Sequence, residues 1–131
     1  MSNVPAVQSV YEAFGRGDIP AILERLHPEV EWEHDMVAHG IPWIVPRSGR
    51  AAVVSFFEVL QGLEFHVFEP IALLEGPGQV VGLIRLEATV RATGKRVTDL
   101  EAHLFTFDDA GRITRFRHFV DTHQHLLASQ A

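Results

Sequence analysis

The stretch VVGLIRLEATVR, residues 80–91, constrains the fold more than any other. Gly82, Ile84, Leu86, Ala88 and Val90 are small or apolar, while Arg85, Glu87, Thr89 and Arg91 between them are polar. A period of two is the mark of an extended strand with one buried face and one wet face. A face of that kind must be covered by another layer of the same chain. The segments around it read the same way, with strands predicted near 64–75, 78–92, 96–107 and 112–121. EGPG, ATGK and DDAG supply the turns between them.

The covering layer comes from the first half. VPAVQSVYEAF carries Val4, Val7, Val10, Tyr11 and Phe14 at helical spacing, with Asn3 as N-cap, Pro5 in the first turn and Gly15 and Gly17 as the stop. Asp18 caps a second helix with Ile19, Ile22, Leu23 and Leu26 on one face, closed by Pro28. RAAVVSFFEVLQG reads as a third helix, capped by Ser48 and stopped by Gly62. Between the last two, EVEWEHDM alternates. Val30, Trp32, His34 and Met36 share the apolar face, and Glu29, Glu31, Glu33 and Asp35 share the other. VAHGIPWIVPRSG has the prolines and glycines of a long loop, yet it holds Trp43 and Ile44, so the 36–49 loop is expected to cover something as a lid.

Three helices followed by a run of strands give an α+β fold. It is expected as a single domain, 1–131, with three N-terminal helices on one face of a curved, mostly antiparallel sheet. The chain has no cysteine, which excludes disulfides, thiolate metal sites and a cysteine nucleophile, and fits a reducing cytoplasm. The net charge of −6 argues against nucleic acid as a partner. Ten of the eleven basic residues are arginines. The N-terminal MSNVPAVQSV lacks a basic region and a long apolar run, so neither a signal peptide nor a membrane span is expected.

Parity assigns the polar residues of the strands. In the last strand Thr114, Phe116, His118 and Val120 face inward, and Arg115 and Arg117 face out. In the strand before it the two sets are Asp99, Glu101, His103, Phe105 and Phe107 against Leu100, Ala102, Leu104 and Thr106, and parity alone leaves both open.

VQSVYEAFGRGDIPAILERLHPEVEWE resembles the opening of the SnoaL-like branch of the nuclear transport factor 2-like superfamily. PRSGRAAVVSFFEVL resembles its third helix, and TGKRVTDLEAHLFTFDDAGRITRFRHFVD its last hairpin. The resemblance implies a cone of three helices and a curved sheet around a pocket. Its members include isomerases, cyclases, epoxide hydrolases and non-catalytic binders. Where steroid-isomerase-like members carry a carboxylate base, this chain reads His34, next to Asp35. Their oxyanion-donating aspartate falls on His103, which turns the odd set of that strand inward. Their helix tyrosine falls on Val10, one step from Tyr11. The essential aspartate of cyclase-like and epoxide-hydrolase-like members falls on His118. The hydrolases' Arg-x-Asp resembles Arg85-Leu86-Glu87, but parity points both charges outward.

The expected site therefore gathers His34, His103 and His118 with Glu101 and Tyr11 as catalytic candidates. Its expected walls are Phe14, Trp32, Phe57, Leu86, Phe105 and Phe116, with Trp43 from the loop. Imidazole titrates near pH ~6.5, so it takes a proton as a base or donates one to a developing oxyanion. The chemistry expected is proton transfer beside a carbonyl of a small hydrophobic compound by an isomerase, cyclase or dehydratase, with no cofactor and no metal. A Zn or Fe(II) on His34, His103 and His118, with Glu101, is the competing site, but no close-spaced ligand motif accompanies it. His123 and His125 are expected in a solvated tail. The alternative function is a binder of a small hydrophobic ligand without chemistry, or a dimerisation module. A homodimer through the convex sheet face is expected, with Arg85, Arg91, Arg115 and Arg117 available to pair with Glu87.

Overall fold

The computed structural model describes residues 2–131. The chain forms α1 (Val4–Gly15), α2 (Ile19–Glu24), β1 (Leu26–Trp32), β2 (Arg47–Ser48), α3 (Arg50–Leu60), β3 (Leu63–Gly76), β4 (Gln79–Val90), β5 (Arg96–Phe107), β6 (Ile113–Phe119) and α4 (Thr122–Ser129). One open six-stranded sheet runs in the order β2-β1-β6-β5-β4-β3. Every pairing is antiparallel except β1 with β6. The fold is α+β, as the pattern predicts, but it has four helices rather than three, and the fourth follows the sheet.

Several local expectations change. Asn3 makes no side-chain cap; its backbone N–H instead donates to Glu75 Oε2 at 2.7 Å. Asp18 does cap α2, accepting from the Ala21 N–H at 3.2 Å. That helix ends at Glu24, so Leu26 opens a strand. Pro28 lies inside β1, where the ladder to β6 slips between Leu26 and Glu31, an irregularity of the kind that tolerates a residue without an N–H. Gly49, at φ 90°, caps α3, while Ser48 belongs to β2 and donates to Glu31 Oε2 at 2.9 Å.

The long strands keep the predicted parity. In β4, Ile84, Leu86, Ala88 and Val90 are buried. In β5 the inward set is Glu101, His103, Phe105 and Phe107. The register shifts in β3 between Phe65 and Val67 and between Pro70 and Ala72 are bulges of the kind that bend a strand. The first core lies under α1, α2 and α3 against β1, β5 and β6. The second joins Ile41, Trp43 and Ile44 of the loop to Leu86, Val97 and Ala128 of α4.

The expected solvated tail is α4. Asp121 caps it, accepting from the Gln124 N–H at 3.3 Å, and the helix buries His125 and Ala128. Within the chain, outward arginines meet carboxylates of neighbouring strands. Arg85 meets Glu69 at 3.9 Å, Arg91 meets Glu64 at 3.3 Å, and Arg96 is the residue that meets Glu87, at 3.8 Å. No helix among the described residues is long and apolar enough to cross a membrane.

Candidate active site

Helices α1–α3, the loop and the inner sheet face enclose a cavity of about 70 Å³. Tyr11, Glu101, His103 and His118 line it, and so do all seven of the expected wall residues. His34 does not. Its ring is paired with the exposed Asp35 at 3.2 Å and is about a third exposed.

The reason is the left-handed backbone at Glu33 and Asp35. Glu33 has φ 58° and Asp35 φ 59°, left-handed values that cost a non-glycine residue about 1–3 kcal/mol. The strand ends at Trp32, and the N–H groups of Glu33 and His34 both donate to the Phe116 carbonyl, at 2.7 and 3.2 Å. Alternation stops there. Glu33, assigned to the wet face by pattern, turns inward and is 1% exposed.

Among the described residues, the Glu33 carboxylate is hydrogen-bonded by His118 alone, twice. Oε1 accepts the His118 backbone N–H at 2.7 Å and Oε2 accepts Nδ1–H at 2.7 Å. Burial alone would lower His118, but the charge and hydrogen bond of Glu33, aided by Glu101, outweigh it and hold the imidazole above its ordinary value. With Nδ1 fixed as a donor, Nε2 is the nitrogen left for chemistry.

His103 lies across from His118, the two rings edge to face at 4.8 Å. Burial pushes His103 below the ordinary imidazole value, an effect only partly offset by the hydrogen bond and charge of Glu101. Burial by itself would raise Glu101. The hydrogen bond from His103 and the neighbouring imidazole charge reverse that and hold it below the usual carboxylate range. The pair is therefore carboxylate and neutral imidazole. A carboxylate only accepts, so Nε2–H of His103 donates to Glu101 Oε1 at 2.8 Å. The lone pair of Nδ1 then receives the Tyr11 hydroxyl at 2.9 Å. Burial, with the Glu101 charge adding to it, pushes the Tyr11 phenol up, so it stays protonated. Gly82, opposite His103 in the β4–β5 ladder, makes room for this phenol, because a Cβ there would overlap the Tyr11 hydroxyl.

His125 closes the far side. It is 1% exposed and lines the cavity. The indole N–H of Trp43 donates to Nδ1 at 3.1 Å, which leaves the proton on Nε2 for Asp99 at 2.9 Å. Both ring nitrogens are thus committed to holding the loop and α4 onto β5.

Glu101, His103 and His118 bring possible ligand atoms within 4.8 Å of one another, and Asp99, Glu101 and His125 do the same. The His34-containing metal set is not assembled. In the first trio, both nitrogens of His103 are already hydrogen-bonded, to Glu101 and to Tyr11.

Pattern reasoning missed Glu33, for which a left-handed glutamate leaves no signal. It also missed His125, for which the only signals are Asp121 as cap and the pair His125 and Ala128 three apart.

Residues 7–116 match the family model described as a SnoaL-like domain. The chain is similar to an NTF2-like protein of unknown function from Burkholderia pseudomallei, with a TM-score of 0.85 and 27% identity over 100% of both chains. An NTF2-like protein from Burkholderia thailandensis gives a TM-score of 0.84 and 28% identity over 100% of this chain and 99% of that one. TerC, in a crystal structure with polyporic acid, gives a TM-score of 0.79 and 25% identity over 98% of each chain. No curated protein matches the chain.

Proposed function

The chain belongs to the SnoaL-like domain family, and from that premise we propose that it is an enzyme moving a proton on a small hydrophobic carbonyl compound, without a cofactor. Isomerisation, aldol-type cyclisation and dehydration all begin with the same step. The observation that carries the reading is the Glu33–His118 pair, whose Nε2 makes no hydrogen bond among the described residues.

Neutral His118 removes a proton from the carbon beside the carbonyl. The C–H electron pair forms the new carbon–carbon double bond, and the carbonyl π pair moves onto oxygen. The proton rests on Nε2, and the Glu33 carboxylate stabilises the imidazolium, as an aspartate does for a catalytic histidine. Returning the proton to another carbon completes an isomerisation. Attack of the enolate carbon on a second carbonyl, with the proton going to the new alkoxide, completes a cyclisation. Delivery of the proton to a departing hydroxide completes a dehydration. Tyr11, His103 and Glu101 hold one polar wall in a fixed protonation pattern.

Ten aromatic side chains in the cavity wall favour flat, unsaturated compounds. TerC was co-crystallised with polyporic acid, which makes that compound a first ligand to try. The same wall also supports the second reading, a binder of such ligands without chemistry. His118→Ala separates the two: an enzyme loses proton exchange and keeps binding, whereas a binder has no exchange to lose.

The proposal extends to assembly and location. Leu100 (57% exposed) and Phe119 (47%) lie on the outer sheet face, and their exposure supports a homodimer through that face. The lack of cysteine supports a cytoplasmic setting.

A further inference from the structure

Among the described residues, three buried side-chain nitrogens lack a hydrogen-bond partner: Trp32 Nε1, His39 Nδ1 and Arg117 Nε. Trp32 is the one of the three that lines the cavity, and it is 4% exposed. An indole N–H is a donor only, and leaving it buried and unpaired is costly. Its ring is stacked on Phe116 at 4.1 Å and tilted against Phe56 at 5.1 Å and Phe57 at 6.4 Å. None of these side chains offers an acceptor. Trp43 is the contrast, because its N–H is already spent on His125. Phe116, which carries the Trp32 ring, also lies edge to face with His118 at 4.7 Å. Trp32 and His118 thus pack against the same two phenylalanines, Phe116 and Phe56.

Resting on the reading of this cavity as a substrate site, we propose that Trp32 Nε1–H receives the carbonyl oxygen of the substrate, and the enolate oxygen that follows from it. The assignment gives the substrate class: flat aromatic compounds carrying a carbonyl, held by ring contacts and oriented by one N–H. Negative charge develops on that oxygen as His118 takes the proton, so the bond tightens along the reaction. A donor fixed by packing on three phenylalanine rings needs no reorganisation to do this.

The probes are acetophenone and its hydrocarbon isostere, cumene. The chain has two tryptophans, so a nitrogen-15 spectrum has two indole N–H signals, assigned by elimination with Trp43→Phe or Trp32→Phe. Acetophenone is expected to move the Trp32 signal downfield while cumene binds without doing so. Trp32→Phe is expected to weaken acetophenone about tenfold and leave cumene unchanged. If both probes shift cavity side-chain signals and the Trp32 N–H stays put, the assignment of this donor is wrong while the proton-transfer reading stands. If neither probe binds, both the donor assignment and the cavity as a substrate site are overturned. The wild-type spectra decide the matter even if Trp32→Phe does not fold.

Discussion

Glu33 holds His118 at two points, taking its backbone N–H on one carboxylate oxygen and its Nδ1–H on the other, each at 2.7 Å. The double contact fixes the tautomer, the ring orientation and the charge partner of a single imidazole. It also explains why a glutamate occupies a left-handed backbone position: two charge-assisted hydrogen bonds offset the strain.

Glu33→Gln keeps the size of the side chain and removes its charge. The expected result is a loss of activity of about 10²–10⁴-fold, the range a positioned base contributes, because His118 loses the carboxylate that orients and charges it. Binding of a ligand such as polyporic acid should be little changed. A loss of binding equal to the loss of rate would mean that Glu33 only shapes the cavity.

The imidazoles should titrate on opposite sides of the ordinary value. In a histidine NMR titration His118 is expected to change charge above pH ~6.5 and His103 below it. Because the base is the neutral form, activity should rise with pH through the His118 transition. For stability the sign is reversed. A group whose folded value is raised stabilises the fold fully below its unfolded value of ~6.5, and that contribution is lost as pH rises through the folded value. Glu33→Gln should abolish this part of the pH dependence, measured by urea unfolding at several pH values.

Gly82→Ala places a methyl group where the Tyr11 hydroxyl lies. Overpacking of this kind costs about 1–3 kcal/mol. Thermal unfolding should show the loss. The His103 signal should move as well, because Tyr11 can no longer reach Nδ1. Tyr11→Phe should cost less, about 1 kcal/mol, since it removes the hydrogen bond and leaves the packing.

His125→Ala is expected to destabilise by about 2–4 kcal/mol, combining a buried cavity with two unpaired groups, Trp43 Nε1 and Asp99. Hydrogen exchange should report the damage in the loop and α4 first. Equal exchange throughout the sheet would contradict the role of His125 as the clip between them.

If the proposed homodimer forms through the outer sheet face, Leu100→Glu with Phe119→Glu should give a monomer without loss of secondary structure, as read by light scattering and circular dichroism. A wild-type protein already monomeric at micromolar concentration would end the assembly proposal.

The strands were legible because they are long. Over twelve residues in β4 or β5 the period-two signal is repeated enough to fix the inner face, and the family resemblance resolved β5 where both faces carry apolar residues. The cavity lining was legible on those strands, at Glu101, His103 and His118, on the α1 face at Tyr11, and in the apolar wall. It failed at Glu33 and His34 because one left-handed residue inverts a strand end, and nothing in a glutamate announces it. It failed at His125 because a short helix has too few apolar positions to stand out, and its burial depends on Trp43, 82 residues away. The loop's tryptophan does lie in the cavity wall, but its anchor lay in a segment read as tail.

The most direct measurement is deuterium uptake at the carbon beside the carbonyl of phenylacetone, followed by NMR in heavy water with wild-type protein and with His118→Ala. The account predicts uptake above the buffer rate for the wild type, rising with pH, and reduction to the buffer rate in His118→Ala while phenylacetone still binds. Binding with no exchange above buffer, or equal exchange by both proteins, would contradict a base at His118 and leave the cavity as a binding site.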